Sequence, residues 1–212
     1  MKTLLIAPNY LKVYSYVSEE ATMILPPLGL AYIGGYLREN GIEVKILDLA
    51  ALRLTDEPEK IAIGRSNADL IAIAATTNTI VEAYSLAKKA REVLPNAKIV
   101  VGGPHPTMMP ERTLQEFPEI DYCIISEAED TMLELAQGKK DKDILGLAYR
   151  DKGGKIKINA PRPLIQDLDK IPFPARDLLP LSRYWTPGVR RYPFATIMTS
   201  RGCPYSCTFC SN

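Results

Sequence analysis

No stretch of this 212-residue chain approaches the roughly 20 consecutive apolar residues that a bilayer span requires; even Leu70–Ala75 is cut short by Thr76, Thr77 and Asn78. A helical membrane anchor is therefore excluded. The run Leu4–Ala7 is too short for the core of a secretion signal and is followed by polar residues rather than a small-residue cleavage site, so the expected compartment is the cytoplasm. There is no excess of either charge: 26 Lys and Arg stand against 25 Asp and Glu, a formal net charge of +1. That balance carries neither a nucleic-acid nor a membrane-surface footprint. Low-complexity tracts and long repeats are missing too. Cysteine is scarce, with four residues, and three of them fall between positions 203 and 210. Such crowding is wrong for a disulfide framework and right for a metal. The fourth, Cys123, lies in the apolar run 122–125 and reads as a small buried hydrophobe.

What is present is an alternation. Over the first 140 residues, short β-branched runs alternate with segments of helical period, the pattern of βα units around a parallel sheet. Strands are expected at 3–7, 44–47, 70–74, 98–101 and 122–125, and helices at 28–40, 58–65, 79–94, 106–116 and 130–137. Gly41 and Pro95 occupy helix-stop positions. The third strand is the most uniformly apolar and belongs in the middle. Right-handed crossovers then make the economical fold a doubly wound, five-stranded parallel sheet of α/β class, flavodoxin-like or Rossmann-like, with strand order 2-1-3-4-5. Ligands of such sheets bind beyond the carboxyl ends of the strands.

Four segments are expected: an α/β domain over 1–140, a β-hairpin over 141–160, a proline-rich linker over 161–193, and a distinct cysteine-bearing segment over 194–212. The hairpin is signalled by Asp151-Lys152-Gly153-Gly154 between two apolar runs. In the linker, missing amide donors and fixed φ angles disfavour both helix and central strand. The run 194–198 reads as a further strand that delivers Thr199-Ser200-Arg201-Gly202 into the cysteines.

A fold of this type hosts nucleotides, flavins, phosphorylated receiver surfaces or corrinoids, and the loops must choose. No G-x-G-x-x-G follows strand one and no G-x4-G-K-S/T occurs, which argues strongly against dinucleotides and nucleoside triphosphates. A receiver needs acidic residues after strand one and an aspartate on strand three. Here stand Ala7-Pro8-Asn9 and Ala74-Ala75-Thr76.

Cys203-Pro204-Tyr205-Ser206-Cys207-Thr208-Phe209-Cys210 has the spacing C-x3-C-x2-C, which lets three thiolates of one loop converge on an iron–sulfur cubane and leaves one iron open. With its lead-in from Thr199, this segment resembles the signature of radical S-adenosylmethionine (SAM) proteins, in the branch that also binds cobalamin. The resemblance implies a [4Fe-4S] cluster on Cys203, Cys207 and Cys210, SAM chelated by the open iron, and Phe209 near the adenine. Pro26-Pro27-Leu28-Gly29-Leu30, Gly102-Gly103-Pro104-His105-Pro106-Thr107 and Ile171-Pro172-Phe173-Pro174-Ala175-Arg176 resemble the same branch. It further implies that Thr76, Thr77, Gly102 and Gly103 line a slot for the cobalamin nucleotide tail, with Asn9, Leu28, Gly29, Pro104, His105 and Glu127 as further cofactor contacts.

Two features depart from the pattern. D-x-H-x-x-G is absent after strand one, so cobalt lacks that histidine ligand, and His105 is the sole histidine. Ser126-Glu127-Ala128-Glu129 stands where G-E-G-E is usual, leaving any geometry that needs glycine there in question. The branch carries a β/α-barrel beyond its cluster loop, and the sequence given stops at Asn212; the expected partner is that catalytic domain, on the same or a separate chain, beside the small-molecule cofactors. No catalytic residue is assigned. The reaction implied for the parent is methyl transfer, or oxidative ring closure like that of the anaerobic magnesium-protoporphyrin ester cyclases. The alternatives are a non-catalytic corrinoid carrier or interaction module, and a small metal-binding α/β protein without cobalamin.

Overall fold

A computed structural model describes residues 1–13, 23–205 and 207–210. The elements in chain order are β1 (Lys2–Ala7), α1 (Leu28–Glu39), β2 (Glu43–Asp48), α2 (Leu49–Leu52), α3 (Glu57–Ser66), β3 (Leu70–Ala74), α4 (Ile80–Val93), β4 (Lys98–Gly102), α5 (Pro104–Met108), α6 (Pro110–Glu116), β5 (Tyr122–Ile124), α7 (Glu129–Ala136), β6 (Leu147–Arg150) and β7 (Ile156–Ile158). They form one seven-stranded sheet of order β2-β1-β3-β4-β5-β6-β7. The first five strands pair in parallel, with β3 at their centre, in the order 2-1-3-4-5. The hairpin β6–β7 adds to β5 in antiparallel fashion, which raises the strand count from five to seven. Asp151 builds its turn: the carboxylate accepts from the amides of Gly153 and Lys155, both at 2.9 Å.

Two sequence expectations need correction. The helix read over 106–116 is broken into α5 and α6, because Pro110 has no N–H and pushes Met109 out of helical geometry, to φ −135° and ψ 52°. The strand read over 194–198 does not form. A strand needs a ladder partner for its amides and carbonyls. None of the described residues offers one there, and the Thr196 carbonyl instead accepts from the Arg176 guanidinium at 2.7 Å.

The two faces of the sheet are filled differently. On one, Leu4, Ile6, Ile71, Ile73, Ile99 and Val101 pack under α3, α4 and α6 with Ile63, Leu86 and Leu114. Cys123 belongs to this face and is fully buried, and burial pushes its thiol up to about 12. On the other face, Leu5, Leu70, Ala72, Val100 and Ile124 lie under α1 and α7 with Leu30, Leu37, Met132 and Leu135. The proline-rich segment is strapped across α1. A Cβ on Gly35 would stand 2.5 Å from the Phe173 carbonyl oxygen, so only glycine admits that approach. The Ala175 amide donates to the Ala31 carbonyl at 2.8 Å. Further along, the buried Tyr184 hydroxyl donates to Asp48 at 2.9 Å.

Candidate functional site

Side chains alternate faces along a strand, so Ala72 and Ala74 of β3, Val100 and Gly102 of β4, and Ile124 of β5 all point toward α1 and α7. In the register, Ala72 stands beside Val100 and Ala74 beside Gly102. Central parallel strands are usually filled with branched residues. Here alanine and glycine near the carboxyl ends leave a cavity of about 420 Å³, walled by Leu28, Ile33, Met132 and Met198 among others. The wall is almost wholly apolar; its charged groups, Glu129 and Arg201, come from the α7 end and the cysteine lead-in. A Cβ on Gly102 would touch only Ile124 Cβ, at 3.8 Å, so this glycine keeps volume open.

Of the residues singled out in the sequence, Leu28, Gly29, Gly102 and Gly103 line the cavity. Gly103 has a different reason to be glycine: its φ is +114°, and a Cβ there would stand 2.6 Å from the Ala75 carbonyl oxygen. Its bareness serves the close crossing of two loops. Thr76 and Thr77 are exposed at the end of β3 and lie outside the cavity lining. Thr76 faces its own turn, with its amide donating to Thr79 Oγ1 at 3.0 Å. Thr77 Oγ1 lies 3.3 Å from Nδ1 of His105. Burial lowers the pKa of that imidazole, and the Glu116 charge partly offsets the shift. Pro104 is exposed at the start of α5. Asn9 is buried and its amide is spent on the backbone, donating to the Leu54 carbonyl at 3.1 Å and accepting from the Leu11 amide at 3.1 Å.

Ser126 answers one open question. Its φ is +70°, the left-handed geometry that glycine would adopt freely, and its amide is held by Thr107 Oγ1 at 3.0 Å. The loop thus keeps a glycine-like turn without glycine, at some strain. Ala128 has ordinary helical angles, φ −106° and ψ −13°. Glu127 does not line the cavity. One of its oxygens accepts from the Ile165 amide at 2.7 Å and the other from Arg201 at 3.1 Å.

Arg201 is the residue that motif reading passed over. Its guanidinium donates to Glu127 and, at 2.5 Å, to the buried Glu129, and it lies over the Tyr32 ring at 5.3 Å from the centroid. Burial alone would lower its pKa, but the bonds to Glu129 and Glu127 hold it up. Only Glu129 of the three is buried, and it is this carboxylate that would lose its partner if Arg201 were removed. The cysteines lie beyond. Cys203, Cys207 and Cys210 are free and exposed, as is Phe209, and the Cys210 amide donates to the Cys207 carbonyl at 3.0 Å. Ser206 lies outside the described residues. Among those described, no three His, Cys, Asp or Glu side chains are already gathered as a metal site. As donors, three free thiols on one loop suit an iron–sulfur cluster.

The model of the B12 binding domain matches residues 14–136, which contain α1 through α7 and leave out β1. The chain belongs to that family. It is 44% identical over 191 residues to the uncharacterized methyltransferase PH0819 of Pyrococcus horikoshii, covering 88% of this chain and 40% of that protein. It is 33% identical over 220 residues to the anaerobic magnesium-protoporphyrin IX monomethyl ester cyclase of Rubrivivax gelatinosus, covering 100% of this chain and 38% of that one. The chain thus spans about two fifths of the length of these relatives. Among solved structures, the cobalamin-dependent SAM radical enzyme OxsB, with aqua-cobalamin and SAM bound, superposes with a TM-score of 0.71 at 19% identity, over 84% of this chain and 24% of that one. At that identity the likeness shows the fold. The resemblance to cobalamin-binding radical SAM proteins drawn from the motifs is matched by these comparisons. No helix among the described residues is long and apolar enough to cross a membrane.

Proposed function

We propose that the chain binds cobalamin with its nucleotide tail in the cavity between the sheet and α1 and α7, and holds a SAM-chelating [4Fe-4S] cluster on Cys203, Cys207 and Cys210. The observation that carries the reading is the hollow over Ala72, Ala74 and Gly102, at the end of the sheet where α/β ligands bind. A flat apolar base suits its walls. Leu28, Ile33 and Met132 would enclose that base, Gly102 leaves it room, and Thr76 and Thr77 offer hydroxyls at the loop ends. No histidine lines the cavity, so the cobalt would receive no imidazole from the residues around it.

The three thiolates would hold the cluster, and Phe209, exposed on the same loop, would pack against a SAM adenine. When bound, the two cofactors supply a methyl carrier and a reductive source of a deoxyadenosyl radical. The parent activity is then methyl transfer to an unreactive carbon or an oxidative ring closure, a reading supported by relatives named as a methyltransferase and an ester cyclase. The setting would be the cytoplasm of a cell with anaerobic metabolism, and the partner the barrel that completes the SAM pocket. The test is anaerobic reconstitution with iron, sulfide and hydroxocobalamin. Uptake of both, with no nitrogen splitting from protein on the cob(II)alamin resonance, is expected. Loss of the cluster in each of C203A, C207A and C210A but not in C123A is the second expected result. Cobalamin uptake alone would favour a corrinoid carrier, and zinc with neither cofactor would overturn the reading.

A further inference from the structure

The Glu127–Arg201–Glu129 cluster lies between the two regions that the proposed function needs. Glu127 belongs to the loop after β5 and Glu129 opens α7, so both carboxylates are fixed to the parallel sheet. Arg201 comes from the far side of the proline-rich strap and reaches back to them with two different nitrogens, Nη1 to Glu127 and Nη2 to Glu129. Its guanidinium plane is backed by Tyr32 of α1. Three elements therefore hold one side chain. Arg201 and Glu129 also line the apolar cavity. Cys203 follows two residues later, and two residues of extended chain span at most about 7 Å.

We infer that Arg201 is a positioning residue that ties the cysteine loop to the rim of the corrinoid cavity, fixing the distance between a cluster on Cys203, Cys207 and Cys210 and a corrinoid held above Gly102. The inference rests on the proposed function, and adds to it the device that sets the two cofactors against each other. A single ion pair would leave the loop free to swing about one bond. A forked guanidinium shared by two carboxylates and backed by an aromatic ring fixes orientation as well as distance. Glu127 extends the same tie, since its other oxygen holds the Ile165 amide of the strap. Both ends of the strap thus converge on one pair of carboxylates.

The test uses the whole chain, reconstituted anaerobically with iron, sulfide and hydroxocobalamin and reduced so that cob(II)alamin and the cluster are both paramagnetic. In the parent sequence the two spins should be magnetically coupled. In R201M and, independently, in E129Q, the coupling should be lost or weakened in the molecules that hold both cofactors; R201K, which keeps charge but not the fork, should recover part of it. Unchanged coupling in R201M and E129Q with both cofactors bound would overturn the inference. If the parent chain takes up neither cofactor, the functional reading fails by itself, and the tie is then decided on the cofactor-free chain by a nitroxide label on Cys203, with Cys207 and Cys210 replaced by serine. The label should be restrained when Arg201 is present and mobile in R201M. Equal mobility would overturn the tie as well.

Discussion

The same strands build a filled face and a hollow one. On the α3–α4 side, β3 and β4 present Ile71, Ile73, Ile99 and Val101, all fully or almost fully buried. On the α1–α7 side the neighbouring positions are Ala72, Ala74, Val100 and Gly102, and the missing side-chain volume is the cavity. Backbone register is identical for both, since each residue of one set is the chain neighbour of a residue of the other. What differs is side-chain size alone. One face spends its apolar surface on stability, and the other leaves a cavity.

Substitutions that exchange the characters of the faces probe this difference. The largest expected effect is on the filled side: Ile99→Ala should destabilise the fold by about 2–5 kcal/mol, read by urea unfolding, while leaving corrinoid affinity unchanged wherever the protein stays folded. Loss of affinity without loss of stability from that variant would show that the filled face is not merely a core. Next is Gly102→Leu, which should fill the hollow and weaken hydroxocobalamin binding about 100-fold, equivalent to about 2.7 kcal/mol, with the unfolding midpoint kept or raised. Binding that survives this leucine would place the nucleotide tail elsewhere.

Smaller changes concern contacts around the sheet. Tyr184→Phe removes the donor to buried Asp48 and should cost about 1–3 kcal/mol. Burial raises the Asp48 pKa above its ordinary 3.8, against the opposing bonds from Ala51 and Tyr184. The native state therefore binds more protons than the unfolded chain between 3.8 and the raised value, and this carboxyl's contribution to stability falls as pH rises through that window. Without the tyrosine hydroxyl the window should widen upward, visible as a steeper loss of stability on raising the pH from acid. The smallest effect is a gain: Ser126→Gly relieves the left-handed φ of +70° and should add a few tenths of a kcal/mol to about 1, measured by thermal unfolding. A destabilised glycine variant would mean that the serine side chain holds the loop by a contact of its own.

Much of this architecture is legible in the sequence because it depends on local pattern. The β-branched runs locate all five parallel strands to within a residue or two, and the Asp-Lys-Gly-Gly turn locates the hairpin. The hollow is written there too, as alternating Ile-Ala-Ile-Ala in β3 and as Gly102 at the end of β4, although its significance depends on knowing which parity faces which helices. Features set by contacts distant in the chain were not legible. Arg201 meets Glu127 and Glu129 across more than 70 positions, and nothing in the spacing of charges announces it. Gly103 was legible as a required glycine, but the atom that requires it is the Ala75 carbonyl rather than a ligand. The break at Met109 could have been read from Pro110 alone.

Helix α1 is shared property. Leu28, Gly29 and Ile33 form a wall of the cavity, while Ala31 and Gly35 on the same helix receive the strap through the Ala175 amide and the Phe173 carbonyl. Only four helical positions separate Ala31 from Gly35, so these contacts occupy one surface of little more than a turn. With no methyl group at Gly35 to act as a spacer, backbone lies directly on backbone, and the joint has almost no slack. An outward push on α1 from a guest seated over Gly102 would therefore reach the strap as displacement instead of being absorbed by side-chain rearrangement, and the helix would act as a rocker arm between the cavity and the chain that leads to the cysteines.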